Sequence, residues 1–214
     1  MNRKQLFVQK PFIYLITEGK TTPENFSRKK KEIIRLVKTA VEAKISLVQI
    51  REKHLTAKLV FELALEAAKI TRRTATGLLI NDRADIALAA RADGVQLTSG
   101  SLSTEIIRAS FPPSFIIGVS THNLEEAADA KRQGADFVTF SPIFSTPTKE
   151  KYGAPQGLKK LREVCDRLNP FPVAALGGIG ENNYASVLEN GASGFAAIRF
   201  LNDAKVLRKL AQKK

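Results

Sequence analysis

The sequence predicts a (β/α)8 TIM barrel, a single domain over residues 1–214 with a basic N-terminal tail, Met1–Lys10. Three observations carry this. Short apolar runs alternate about eight times with helical patterns, which fits a chain of this length. The strand candidates are continuously apolar, as in a parallel sheet covered on both faces. A weak repeat joins helix to strand at Ala92-Asp93-Gly94-Val95, Ala135-Asp136-Phe137-Val138 and Ala192-Ser193-Gly194-Phe195. The alternative, an open doubly wound sheet, gathers its polar residues at one switch point. Here they follow nearly every strand.

Phe12–Thr17 reads as the first strand, and Pro23 precedes a helix with Ile33, Leu36, Val37, Ala40 and Val41 on one face. Ser46–Arg51 is the second strand. Thr56 can cap the next helix, where Val60, Leu63, Ala64, Ala67 and Ala68 repeat the spacing. Leu78–Ile80 is the third strand, before a short helix through Ile86 to Ala90. Gly94–Leu97 is the fourth, and Ser103 can cap a helix that stops before Pro112-Pro113. Ile116–Ser120 is the fifth, with Asn123 as cap of a helix ended by Gly134. Phe137–Phe140 is the sixth. Ser141–Gln156 lacks periodicity and reads as a long loop before a helix over Leu158, Leu161, Cys165 and Leu168. Val173–Leu176 is the seventh strand, with a helix through Tyr184, Val187 and Leu188 after it. Phe195–Ile198 is the last, and a helical tail follows.

The formal charge of +13 calls for an anionic partner or a role in solubility. Much of it lies in Arg28–Lys31 and in Lys205, Arg208, Lys209, Lys213 and Lys214, on helices whose other faces are apolar. Solvated helix faces account for these better than a nucleic-acid patch, and no zinc-finger, RNA-binding or helix-turn-helix pattern is present. The lone cysteine, Cys165, excludes an internal disulfide and a multi-cysteine zinc site and suits a cytoplasmic protein. No apolar run reaches the length of a membrane span.

Active sites of such barrels occupy the carboxyl ends of the strands. Leu47–Lys53 is the most telling stretch: read as a strand that runs on, it turns Gln49, Arg51 and Lys53 to one side. An amide, a planar guanidinium and an ammonium suit an anion with several oxygens; a rim of solvated charge is the plainer alternative. Gly177-Gly178-Ile179-Gly180 is either an anion cradle at a helix start or a tight turn. Asn81-Asp82 is either a magnesium site or an N-cap. His122, one of two histidines, is a candidate acid or base, while His54 reads as a surface residue.

Taken together, Gln49–Lys53, Ile80–Arg83, Gly118–His122, Thr146–Lys149 and Ala175–Ile179 resemble, in order and spacing, the thiamine phosphate synthases and their TenI relatives. The resemblance runs from about Tyr14 to the last helix. It implies the barrel and a reaction joining hydroxymethylpyrimidine diphosphate to thiazole phosphate with release of diphosphate. It further implies that Gln49, Arg51, Lys53, Asn81 and Lys149 hold the diphosphate, Lys149 and His122 being the catalytic candidates. Asp82 would ligate magnesium, Ser120 would line the pyrimidine side, and Thr146, Thr148 and Gly178 would hold the thiazole phosphate.

The pattern departs after the fourth strand. Ser101 stands where the synthases are expected to carry a second magnesium-binding aspartate, which weakens the expected magnesium site. Arg199 replaces a small residue after the last strand and is a further binding candidate. Gln96–Ser101 looks more like TenI, a thiazole tautomerase acting on thiazole carboxylate phosphate, in which His122 would move a proton. The intact Gln49, Arg51, Lys53 and Asp82 set favours the synthase. A non-catalytic sensor of thiamine precursors is the third possibility. The expected partners are small phosphorylated precursors rather than a membrane or nucleic acid, and a homodimer is left open.

Overall fold

A computed structural model describes Phe7, residues 11–145 and residues 154–212. Eight parallel strands close in sequence order into a barrel: β1 (Phe12–Ile16), β2 (Leu47–Ile50), β3 (Gly77–Asn81), β4 (Gly94–Leu97), β5 (Ile116–Thr121), β6 (Phe137–Phe140), β7 (Val173–Leu176) and β8 (Gly194–Ala197). Around them run α1 (Phe26–Glu42), α2 (Ala57–Thr71), α3 (Ala84–Ala89), α4 (Thr104–Ser110), α5 (Leu124–Arg132), α6 (Gly157–Leu168), α7 (Tyr184–Glu189) and α8 (Ala204–Gln212). The expected barrel is therefore the observed one.

The strands are continuously apolar because each is covered twice. Outward side chains such as Leu15, Val48, Ile80, Val95 and Val138 pack under the helices, with Val37, Leu63 and Leu161 opposite them. Inward side chains fill the barrel. Around it the register climbs about one residue per strand, so alternate strands supply each layer. From the bottom the layers read Phe12 with Ile116, then Leu47 with Phe137, then Tyr14, Leu79, Gly118 and Ala174. Above these come Gln49, Gln96, Thr139 and Ala196, and at the mouth Ile16, Asn81, Ser120 and Leu176. The interior thus turns from aromatic to polar toward the carboxyl ends.

Phe7 closes the bottom against Phe12 and Phe137 at ring distances of 5.3 and 5.0 Å. Thr56, Ser103 and Asn123 cap α2, α4 and α5 as expected, each accepting a backbone N–H of the first turn. The basic run on α1 is a paired, solvated face: Arg28 and Lys29 meet Glu32, and Lys30 meets Glu62 and Glu66 on α2. Among the described residues no helix is long and apolar enough to cross a membrane.

Candidate active site

Polar residues at the mouth form one hydrogen-bonded row. The Tyr14 hydroxyl lies 2.9 Å from Gln49 Oε1 and 3.0 Å from Gln96 Oε1. Gln49 Nε2 donates to Asn81 Oδ1 at 2.9 Å, and Asn81 Nδ2 donates to Asp82 Oδ2 at 2.7 Å. On the other side Gln96 Nε2 lies 3.1 Å from Ser120 Oγ. Strands β2 to β5 contribute from their carboxyl halves, and β1 contributes Tyr14 from its middle. Burial holds the Tyr14 phenol well above its ordinary pKa, so it keeps its proton.

Asp82 sits just past β3 at φ +59, a left-handed conformation that aspartate tolerates better than most residues. It is not the N-cap of α3, a position Arg83 takes without a side-chain cap bond. Its Oδ1 accepts from Thr98 Oγ1 at 2.9 Å and from the Ser101 hydroxyl. Ser101 Oγ in turn accepts from the Thr98 N–H at 2.7 Å. The residue that replaces an expected second carboxylate thus serves the first one as a donor. Among the described residues no group of three or more His, Cys, Asp or Glu is placed to hold a metal. One half-buried carboxylate beside hydroxyls fits a magnesium ion that arrives with phosphate oxygens of its own.

The expected alternation of Gln49, Arg51 and Lys53 along a strand is corrected in part. β2 ends at Ile50, so Arg51 and Lys53 belong to the loop after it, and Lys53 is exposed in a turn. The strand stops because Arg51 N–H turns to Thr17 Oγ1 at 2.8 Å. Between the two cations Glu52 is buried and pins the loop after β1, accepting from Gly19 N–H at 3.3 Å and Thr21 N–H at 2.9 Å. Gly19, at φ +74, leaves room for Arg51: a Cβ there would come within 3.1 Å of Arg51 Nη1. Arg51 is thereby held against the β1 loop, half-buried at the rim.

The expectation of a cradle at a helix start after β7 is also corrected. Gly177 and Gly178 are followed by a loop, and α7 begins only at Tyr184. The two glycines are required for close approach. At Gly177 a Cβ would meet Pro142 Cα at 2.7 Å, and at Gly178 it would meet Phe144 Cβ at 2.7 Å. Both have positive φ, and Phe144 N–H donates to Gly177 carbonyl at 3.0 Å. They dock the loop after β6 onto the mouth. That loop carries Thr146, Thr148 and Lys149, which lie outside the described residues.

His122 follows β5, outside the hydrogen-bonded row. Its Nδ1 lies 2.7 Å from Ser141 carbonyl oxygen, which can only accept. Nδ1 therefore carries the proton in the neutral ring, and Nε2 is left as an acceptor. Its backbone N–H is held by Glu126 in the cap of α5. Arg199 is exposed just beyond β8, where the chain enters a 3-10 turn, Phe200–Asn202.

Tyr14, Thr98 and Glu52 were not expected from the sequence as site residues. A tyrosine in an otherwise wholly apolar strand and a glutamine inside Gly94–Leu97 are the signals for Tyr14 and Gln96, since a buried polar group needs a partner. Nothing in the sequence separates buried Glu52 from the exposed Lys53 beside it.

Comparison with known proteins agrees with the barrel. The sequence model of a family described as thiamine monophosphate synthase matches residues 13–201. A thiamine-phosphate synthase of Chloroflexus aurantiacus is 39% identical over 76% of this chain and 74% of its own. One of Clostridium novyi is 38% identical over 76% of this chain and 79% of its own. The solved thiamine phosphate pyrophosphorylase of Pyrococcus furiosus superposes with a TM-score of 0.78 at 29% identity, covering 99% of this chain and 98% of that one. The chain, matched over nearly its whole barrel, belongs to the thiamine monophosphate synthase family.

Proposed function

We infer that this protein condenses hydroxymethylpyrimidine diphosphate with thiazole phosphate to give thiamine phosphate and diphosphate. The observation that carries the reading is the row Gln49–Asn81–Asp82 beside Arg51 at the mouth. It puts amide donors and a cation on one side of the barrel opening, with a carboxylate for a metal. The carbon–oxygen bond between the pyrimidine methylene and diphosphate breaks with its electron pair going to the diphosphate. The thiazole nitrogen lone pair then forms the new carbon–nitrogen bond. Charge develops on the departing oxygens, so Gln49, Arg51, Lys53, Asn81 and Lys149 act by stabilising it. Magnesium, held by Asp82 and the substrate, would supply further positive charge to the same oxygens.

Ser120 serves the pyrimidine side, and Thr146, Thr148 and Gly178 serve the thiazole phosphate, with Arg199 near the last strand as a further anion contact. We place the reaction in the cytoplasm, where small phosphorylated precursors are made and used. Purified protein given both substrates and magnesium is expected to form thiamine phosphate. No product under those conditions would overturn the reading.

A second reading, a thiazole tautomerase, is favoured by one observation: the Ser141 carbonyl leaves His122 Nε2 as an acceptor, poised to take a proton. Assay of thiazole carboxylate phosphate isomerisation on the same preparation separates the two.

A further inference from the structure

We propose that Tyr14 and Gln96 are positioning residues that fix the direction of hydrogen bonding at Ser120, making that hydroxyl an acceptor for an N–H of the pyrimidine. The inference rests on the assignment of Ser120 to the pyrimidine side. It follows from counting protons along the row.

A carboxylate only accepts. Asp82 therefore takes Asn81 Nδ2, and Asn81 Oδ1 faces Gln49. That oxygen needs a donor, so Gln49 turns Nε2 toward it and Oε1 toward Tyr14. The phenolic proton goes to Gln49 Oε1. Tyr14 has one proton, yet its oxygen also lies 3.0 Å from Gln96 Oε1. Two acceptors cannot share that contact. Turning the Gln96 amide about its last bond resolves it: Nε2 donates to Tyr14, and Oε1 faces Ser120 across the 3.1 Å contact. Ser120 then gives its proton inward to Gln96. Its lone pairs are left for the mouth, where the ring's exocyclic amine is the matching donor.

The packing holds this geometry. Gly118 leaves no spare room beside Gln96, since a Cβ there would meet the Gln96 amide end and Phe137 Cζ, each at 2.4 Å. Phe137 lies edge-on to Tyr14 at 5.7 Å and fixes the height of the phenol. Removing the Tyr14 hydroxyl cuts the row in two. The Gln49–Asn81 half stays anchored on Asp82, while Gln96 and Ser120 lose their direction.

The test uses calorimetry of pyrimidine diphosphate and of inorganic diphosphate, each with magnesium, on the parent, Tyr14→Phe, Ser120→Ala and the double variant. Tyr14→Phe is expected to weaken pyrimidine diphosphate roughly three- to tenfold, the size of one hydrogen bond, and to leave inorganic diphosphate unchanged. The double variant is expected to be no weaker than Ser120→Ala, because Tyr14 acts through Ser120. In steady state the KM for pyrimidine diphosphate rises and that for thiazole phosphate does not. Gln96→Met cuts the same link and is expected to repeat the pattern if Tyr14→Phe does not fold. Equal loss of both ligands, no loss of either, or additive effects in the double variant would overturn the positioning role. A parent that binds neither ligand would instead overturn the site assignment beneath it.

Discussion

Ser101→Asp tests the Asp82 site without any turnover. In the parent, the Ser101 hydroxyl donates to Asp82 Oδ1 and accepts from Thr98 N–H at 2.7 Å. An aspartate at 101 can keep the second bond and must lose the first. Loss of a hydrogen bond to a charged group costs roughly 1.5–3 kcal/mol. Two carboxylates then lie in contact. The pair can relieve its repulsion by holding one proton. At pH 7 that costs about 1.4 kcal/mol for each of the roughly three pH units above the ordinary carboxylate value, so about 4 kcal/mol is a ceiling. The expected destabilisation is roughly 2–4 kcal/mol, which for a chain of this size lowers Tm by roughly 5–15 °C.

The assay is a thermal melt in chelator and again in magnesium. Two carboxylates bind the ion without help from substrate, so magnesium is expected to raise the Tm of the variant and leave the parent unmoved. At a hundredfold excess over Kd the gain is about 2.7 kcal/mol, most of what was lost. The pH dependence has a definite sign. The shared site raises a carboxyl pKa above its unfolded value, so the unfolded state binds fewer protons between the two. The deficit is therefore absent below about pH 4 and grows as pH rises. A variant that melts like the parent and ignores magnesium would refute the placement of Ser101 against Asp82.

Arg51→Ala and Lys149→Ala are each expected to weaken diphosphate-substrate binding roughly tenfold or more, one charge-assisted contact apiece; unchanged calorimetry in both would remove the clamp. Gly178→Ala forces a side chain into φ +68 and against Phe144, and is expected to cost roughly 1–3 kcal/mol in a melt and to raise the KM for thiazole phosphate. An unaltered KM would separate the glycine from that pocket. Asp82→Ala is expected to abolish nearly all thiamine phosphate formation, while His122→Ala leaves it measurable. Strong isomerisation lost with His122 and indifferent to Asp82 would replace the synthase reading by the tautomerase one.

The barrel was legible because each strand is buried on both sides, which leaves uninterrupted apolar runs such as Leu78–Ile80 between capped helices. The mouth was legible less evenly. Asn81 and Asp82 emerged because a polar pair ending an apolar run must lie at a strand end. The extension of β2 to Lys53 failed because alternation holds only while a strand lasts, and a threonine 34 residues earlier ends this one at Ile50. The glycines after β7 were visible, but their partner was not: the loop they admit comes from β6, and no local pattern encodes that contact. Ser101 was read as a missing carboxylate, and only the fold shows it as a donor to Asp82.

The interior explains how a barrel core can end in a reactive surface. Burying a polar group costs free energy unless it finds a partner; in this layer the Thr139 hydroxyl finds none among the described residues, while both glutamines do. Gln49 and Gln96 meet this condition on either side of one phenol rising from the aromatic layer below. Small residues make the exchange possible: Gly118 admits Phe137 beside Gln96, while Ala174 and Ala196 keep the β7–β8 side low and apolar. Among the described residues the polar row accordingly runs along β1 to β5. The β6–β8 side is left to the loop docked on Gly177 and Gly178. A two-substrate condensation needs such a division, since an anionic leaving group and an incoming phosphate must be held apart while the reacting carbon and nitrogen meet between them.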